Sequence, residues 1–176
     1  MKLFVGIDLP EPHRSELARL CDSSRYALQF TKPERLHVTL RFLGEHPAYG
    51  IRIIERALSK VRSRLFEVLI QGMDCFSSPP KVLFAGVTSQ VLVELKGAVD
   101  VALGFKDGTK HYHPHVTLAK PACWTEQREA EKMRDFEGPS LFLPPFLVDR
   151  FFLFSNPGDG RPYDKIGEFP LCRSSM

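Results

Sequence analysis

Two short segments of this chain are identical, and each carries a pair of residues able to handle protons and phosphate oxygens. They are His37-Val38-Thr39-Leu40 and His115-Val116-Thr117-Leu118. Val, Thr and Leu favour a pleated, half-buried surface, and apolar residues flank both copies, so each reads as a β-strand. Alternate side chains of a strand share a face. His37 and Thr39 therefore point one way and Val38 and Leu40 the other, and the same holds for His115 and Thr117 against Val116 and Leu118. Each copy sets an imidazole and a hydroxyl on one face, roughly 7 Å apart along the strand, over an apolar underside. Cleaving a phosphodiester needs a base for the nucleophile, an acid for the leaving oxygen, donors for the non-bridging oxygens and fixed in-line geometry. Histidine titrates near pH 6.5, so two imidazoles flanking one phosphate can serve as base and acid without a metal. A Thr hydroxyl beside each can donate to the phosphoryl oxygens. Thr is also a common strand residue, and two ordinary strands with buried, hydrogen-bonded histidines would give the same pattern.

Few other arrangements compete. The chain has no P-loop, G-x-G-x-x-G, H-E-x-x-H or G-x-S-x-G. One rival is His111-Tyr112-His113-Pro114-His115: if extended, it puts three imidazoles on one face, and three histidines make a catalytic zinc set. Against it, Pro114 disturbs the alternation, and no carboxylate lies nearby in sequence to orient such ligands. His13 and His46 read as solvated surface residues.

The elements that position the motifs follow from periodicity and breakers. Lys2–Leu9 reads as a strand, Pro10–Ser24 as a helix with Leu17, Ala18, Leu20 and Cys21 on one face, and Arg25–Glu34 as a connection. The first motif strand spans Leu36–Leu43 and ends at Gly44. Ala48–Arg64 is expected to be helical, with Ile51, Ile54, Ala57, Leu58 and Val61 at helical spacing. Leu65–Gln71 and Lys81–Val87 read as strands, separated by a loop at Ser77-Ser78-Pro79-Pro80. A helix capped by Thr88 or Ser89 runs to about Leu103. The second motif segment covers His111–Lys120 and stops at Pro121. Trp124–Glu137 reads as a helix, Phe142–Phe154 as one or two strands interrupted by Pro144 and Pro145, and Tyr163–Leu171 as a final strand after the turn Asn156–Gly160. The order strand, helix, strand from Lys2 to Leu43 recurs from Val82 to Leu118, and the motifs stand close to half the chain apart. The expected fold is α+β: two pseudo-symmetric lobes, each a mainly antiparallel sheet with helices on its outer face, around a central groove, with residues 1–176 forming one bilobal domain.

The totals fit that size. The chain has 176 residues, 43% hydrophobic and 26% charged, with fourteen Phe against one Trp and four Tyr, which points to a Phe-rich core. A net charge of +3 tolerates a nucleic-acid partner without demanding one. Cys21, Cys75, Cys123 and Cys172 form no C-x-x-C pair, which argues against a zinc ribbon and for reduced thiols in the cytoplasm. The apolar stretch in Met1–Leu9 is too short for a signal-peptide core, and no run approaches the roughly 18 apolar residues that span a membrane.

The context of the motifs is more specific than the motifs themselves. Paired His-x-Thr-x segments are the signature of the two-histidine (2H) phosphoesterase superfamily. Pro33-Glu34-Arg35-Leu36-His37-Val38-Thr39-Leu40-Arg41-Phe42-Leu43-Gly44-Glu45 resembles the first-motif block of the RNA 2′,3′-cyclic phosphodiesterases, also called 2′-5′ RNA ligases. His113-Pro114-His115-Val116-Thr117-Leu118-Ala119-Lys120 resembles their second block. Leu3–Pro10 and Pro80–Val87 look like their first and central strands. The likeness runs from Leu3 to about Leu171. It departs near the C-terminus, where members often carry a Tyr and a Ser before the last turn and this chain has Leu153-Phe154-Ser155-Asn156. The resemblance implies hydrolysis of an RNA 2′,3′-cyclic phosphate end to a 2′-phosphomonoester, with reversible 2′-5′ RNA ligation, no cofactor and no metal. It implies His37 as proton donor, His115 as proton acceptor, and Thr39 and Thr117 holding the phosphate. Phe42 and Phe84 are candidates to stack a base or to pack in the core, and Lys120 to face the phosphate or solvent. A soluble cytoplasmic monomer is expected. The alternatives are a non-catalytic RNA-end or nucleotide binder, and the same chemistry on a small nucleotide cyclic phosphate or a 2′-5′ oligonucleotide.

Overall fold

Nine strands and three helices are built from these segments in a computed structural model that describes residues 1–20, 28–76, 81–106, 109–121, 141–158 and 160–172. The elements are β1 (Lys2–Asp8), α1 (Glu11–Leu20), β2 (Leu28–Phe30), β3 (His37–Glu45), α2 (Ile51–Leu58), β4 (Phe66–Phe76), β5 (Val82–Thr88), α3 (Gln90–Leu103), β6 (His115–Pro121), β7 (Phe142–Val148), β8 (Arg150–Asn156) and β9 (Asp164–Pro170). The helix expected at Trp124–Glu137, the end of the first helix and the Ser77–Pro80 loop lie outside the described residues.

The strands run in the order β7-β4-β5-β6-β3-β1-β8-β9, with β2 pairing on β6, and every ladder is antiparallel. This order has a centre. On one side β3 pairs with β1, β1 with β8 and β8 with β9; on the other β6 pairs with β5, β5 with β4 and β4 with β7. The units β1-α1-β3 and β5-α3-β6 occupy equivalent places, so the repeat expected from the strand-helix-strand order is present. The two motif strands lie side by side at the centre, yet share only one backbone bridge, Val38 to Val116. Elsewhere they diverge, and β2 takes over the far end of β6.

Alternation along β1 shows which face is which. Leu3, Val5 and Ile7 join the main core with Val38, Leu40, Val116 and Leu118, and with Leu17 of α1, Ile54 and Leu58 of α2, and Leu92, Leu95 and Val99 of α3. Phe4 points the opposite way, into a smaller cluster with Phe152 and Phe154. The helices thus cover one face of the sheet, and the other face is left to the histidines. Gly6 permits the close packing of β1 on β3: a Cβ there would stand 2.8 Å from the Val38 carbonyl oxygen.

Several boundaries differ from the sequence expectation. The second helix ends at Leu58, not Arg64. The Ser59 hydroxyl donates to the Arg56 carbonyl, and Arg62 donates to the carbonyls of Ser59 and Val61, so side chains take up the terminal carbonyls. Ser89 stands at the N-cap of α3 with no side-chain capping bond. The strand expected to stop at Gln71 continues to Phe76, because Gly72, at φ 67°, sits in a bulge and does not end the ladder. Pro144 and Pro145 likewise do not break a strand. They fall in edge strand β7 where its register against β4 slips, and the break comes at Asp149. Strand β6 begins only at His115, because Pro114 has no N–H to donate and Tyr112 turns back onto the Thr109 carbonyl. His13 is buried, its Nε2 2.7 Å from the Pro144 carbonyl oxygen, so it ties α1 to β7 and is not a solvated residue. No helix among the described residues is long and apolar enough to cross a membrane.

Candidate active site

Both histidines enter the site by the same local device. The Nδ1 of His37 lies 2.7 Å from the carbonyl oxygen of Arg35, and the Nδ1 of His115 lies 2.7 Å from that of His113. A carbonyl only accepts, so Nδ1 carries the proton in each neutral ring, and Nε2 is left with a lone pair. In His37 that Nε2 accepts from the Thr39 hydroxyl at 3.0 Å. The device follows from sequence: each motif opens a strand just after a turn, which leaves the carbonyl two residues upstream unpaired and facing the ring.

Each ring also rests on aromatic side chains. Phe4 is 4.7 Å from His37 between ring centres and stacks on Phe154, and Tyr163 meets His37 edge-on at 5.2 Å. On the other side Phe76 meets His115 edge-on at 4.8 Å, with Phe84 at 5.5 Å. These beds desolvate the imidazoles. Burial pushes the His37 pKa down to about 4; its bond to the Arg35 carbonyl opposes this, and the neighbouring charge of His115 adds to it. Burial lowers His115 too, against the pull of the His113 carbonyl. Each therefore favours the neutral ring in the free groove.

The open space falls into two adjoining parts. One, of about 520 Å³, is lined by His37, Thr39, Thr117, Phe42 and Lys120, with Arg35 and Tyr163. The other, of about 380 Å³, is lined by His115, Phe76 and Tyr112, and shares Thr39 and Phe42 with the first. His37, Thr39 and Thr117 thus line one part and His115 the other, with Thr39 and Phe42 bordering both. Phe42 is 69% exposed where the two parts meet. Phe84 is 3% exposed, with one face covered by Phe76 at 4.1 Å. It therefore packs behind His115 and offers no free face to a base. His111, His113 and His115 all line the second space, and no group of side chains that could hold a metal ion occurs among the described residues.

Sequence reasoning missed Arg35, Tyr163, Phe4 and Phe76. Arg35 donates to the Tyr163 hydroxyl at 2.9 Å, and its guanidinium lies over that ring at 4.5 Å. Tyr163 thus places a tyrosine beside His37 from after the last turn, whereas Ser155, before that turn, is buried.

A family model described as LigT like phosphoesterase matches residues 7–84. An RNA 2′,3′-cyclic phosphodiesterase of Methanothermobacter thermautotrophicus is 31% identical over 134 residues, covering 68% of this chain and 71% of that protein. The chain belongs to the LigT-like phosphoesterase family. Another relative, an RNA 2′,3′-cyclic phosphodiesterase of Aeropyrum pernix, is 32% identical over 114 residues, 59% of this chain; the match spans 65% of that protein's length. The fold is that of a crystal structure from Thermus thermophilus, with a TM-score of 0.78 at 22% identity over 99% of this chain and 100% of that one.

Proposed function

We propose that this LigT-like protein hydrolyses 2′,3′-cyclic phosphate ends of RNA to 2′-phosphomonoesters by two-histidine acid–base catalysis without a metal ion. What carries the reading is the pair of imidazoles on two adjoining spaces, both with Nδ1–H tied to an upstream carbonyl and Nε2 facing away from it. In this scheme His115 Nε2 removes a proton from water, which attacks phosphorus in line with the 3′ oxygen. His37 delivers a proton from Nε2 to that oxygen as it leaves. The Thr39 and Thr117 hydroxyls donate to the non-bridging oxygens, and Thr39 turns from His37 to the phosphate to do so. His37 is neutral in the free groove, and the negative phosphate is what favours its charged form, so the acid is loaded as substrate binds. Phe42 is the face on which a base stacks.

The same set serves when a 5′-hydroxyl replaces water: His115 takes its proton, the 5′ oxygen attacks phosphorus, and the 3′ oxygen leaves protonated by His37, giving a 2′-5′ bond. The space beside His115, about 380 Å³, is large enough to take such a hydroxyl-bearing group. The test is an assay on nucleoside 2′,3′-cyclic phosphates and on a short RNA with that end, with and without strong chelator. The expected product is the 2′-phosphate, formed equally in both. Loss of turnover in chelator, restored by zinc, overturns the metal-free mechanism, and tight binding without turnover would make the protein an RNA-end binder.

A further inference from the structure

Two catalytic strands joined by one backbone bridge leave the distance between their histidines to be set by something else. Among the described residues, side-chain ties at Thr39 and Arg41 cross from β3 to the other half of the molecule. The Tyr112 hydroxyl donates to the Thr39 carbonyl at 2.9 Å. Arg41, two residues further along β3, donates from Nε to Asp100 of α3 at 2.7 Å. Asp100 is 1% exposed and also pairs with Lys96 one helical turn before it; the Lys96 ammonium stands 5.7 Å from the centre of the Tyr112 ring. Tyr112 is half-buried and packs on the main core. Its covalent path to His115 is three residues, and that of Thr39 to His37 is two.

We propose that Tyr112 is a positioning residue: its hydroxyl, bonded to the Thr39 carbonyl, holds the His37 strand at the working distance from His115. The proposal rests on the two-histidine reading above. Burial, and then the Asp100 carboxylate, push the Tyr112 phenol above its ordinary range, so the hydroxyl keeps its proton and donates throughout the pH range of the reaction. In-line transfer between a fixed acid and a fixed base tolerates little slack: about 1 Å of misplacement costs up to roughly 100-fold. The Arg41–Asp100 tie remains when Tyr112 loses its hydroxyl, so part of the constraint survives.

Tyr112→Phe removes one oxygen and keeps the ring. On a nucleoside 2′,3′-cyclic phosphate it should lower kcat about tenfold with KM within about twofold. The pH–rate bell should narrow, because repulsion between two titrating imidazoles falls as they part. NMR titration of the imidazoles in the folded variant should show the same convergence without any turnover. In a His115→Ala background the added Tyr112→Phe should cost nothing further, since there is then no pair to space. An unchanged kcat and bell in the single variant overturn the proposal. So does an equal loss in the His115→Ala background, which would mark a general structural role. Near-normal turnover of His115→Ala alone instead removes the two-histidine reading itself.

Discussion

His37 and His115 meet the groove in the same protonation state for the same reason: each donates Nδ1–H to a carbonyl two residues upstream and sits on an aromatic bed. The state has a consequence for stability. The His37 pKa is about 4 when folded against about 6.5 when free. Between those values the unfolded chain binds the extra proton, so stability rises with pH from about 4 to 6.5, is flat above, and is lost as the pH falls. The full shift corresponds to about 3 kcal/mol. Urea midpoints measured from pH 4 to 7 should climb in the wild type, and His37→Ala should flatten much of that climb, leaving the part that His115 contributes in the same direction. An unchanged slope in the variant would show that His37 is not held neutral by burial. At this scale the His-x-Thr pairing was legible in sequence, since strand alternation alone puts the imidazole and the hydroxyl on one face. The supporting rings were not. Phe76 reaches His115 only because Gly72 bulges and does not end the strand, and Tyr163 reaches His37 only because β9 folds back beside β8. Neither leaves a local pattern.

The motif strands depend on close backbone approach. Gly6 of β1 faces β3 where a Cβ would stand 2.8 Å from the Val38 carbonyl, next to the one bridge that joins the two halves. Gly6→Ala should destabilise by about 1–3 kcal/mol, the range for overpacking, and should lower turnover as well, because the strand that must move carries His37 and Thr39. A variant with the stability of the wild type would mean that β3 is free to shift. Element order and type were readable where period and breakers agreed, as in β1, β3, β5 and α3. They were misread where the residue that looks like a terminator serves inside a ladder: Gly72 in its bulge, Pro144 and Pro145 on an edge strand. The short β2 was missed because three residues show no periodicity, and its pairing on β6 is wholly tertiary.

Across the whole molecule, the pseudo-symmetric order about the β3–β6 seam makes one groove from two separate motifs. Charge gathers there despite a net of only +3: Lys2, Lys32, Arg35 and Lys120 line the His37 side against Glu45. Apart from Lys120, which follows the second motif directly, sequence position offered no hint of this, because the other three cations come from β1 and the turn region before β3. The affinity for a single-stranded RNA end should fall with salt at a log–log slope of about −2 to −3, near 0.7 per phosphate contact. A slope shallower than about −1 would mean that the groove holds only the terminal phosphate. The central claim is that the two imidazoles have opposite duties, and it is tested most directly with a leaving group that needs no proton. His37→Ala and His115→Ala should each lower turnover of a 2′,3′-cyclic phosphate by roughly 10² to 10⁴. On a nitrophenyl phosphodiester with no ribose hydroxyl beside the phosphate, so that water is the nucleophile, His37→Ala should recover to near wild-type rate and His115→Ala should not. Recovery of His115→Ala in place of His37→Ala would contradict the assignment of acid and base, and near-normal rates of both variants on the cyclic phosphate would contradict the mechanism itself.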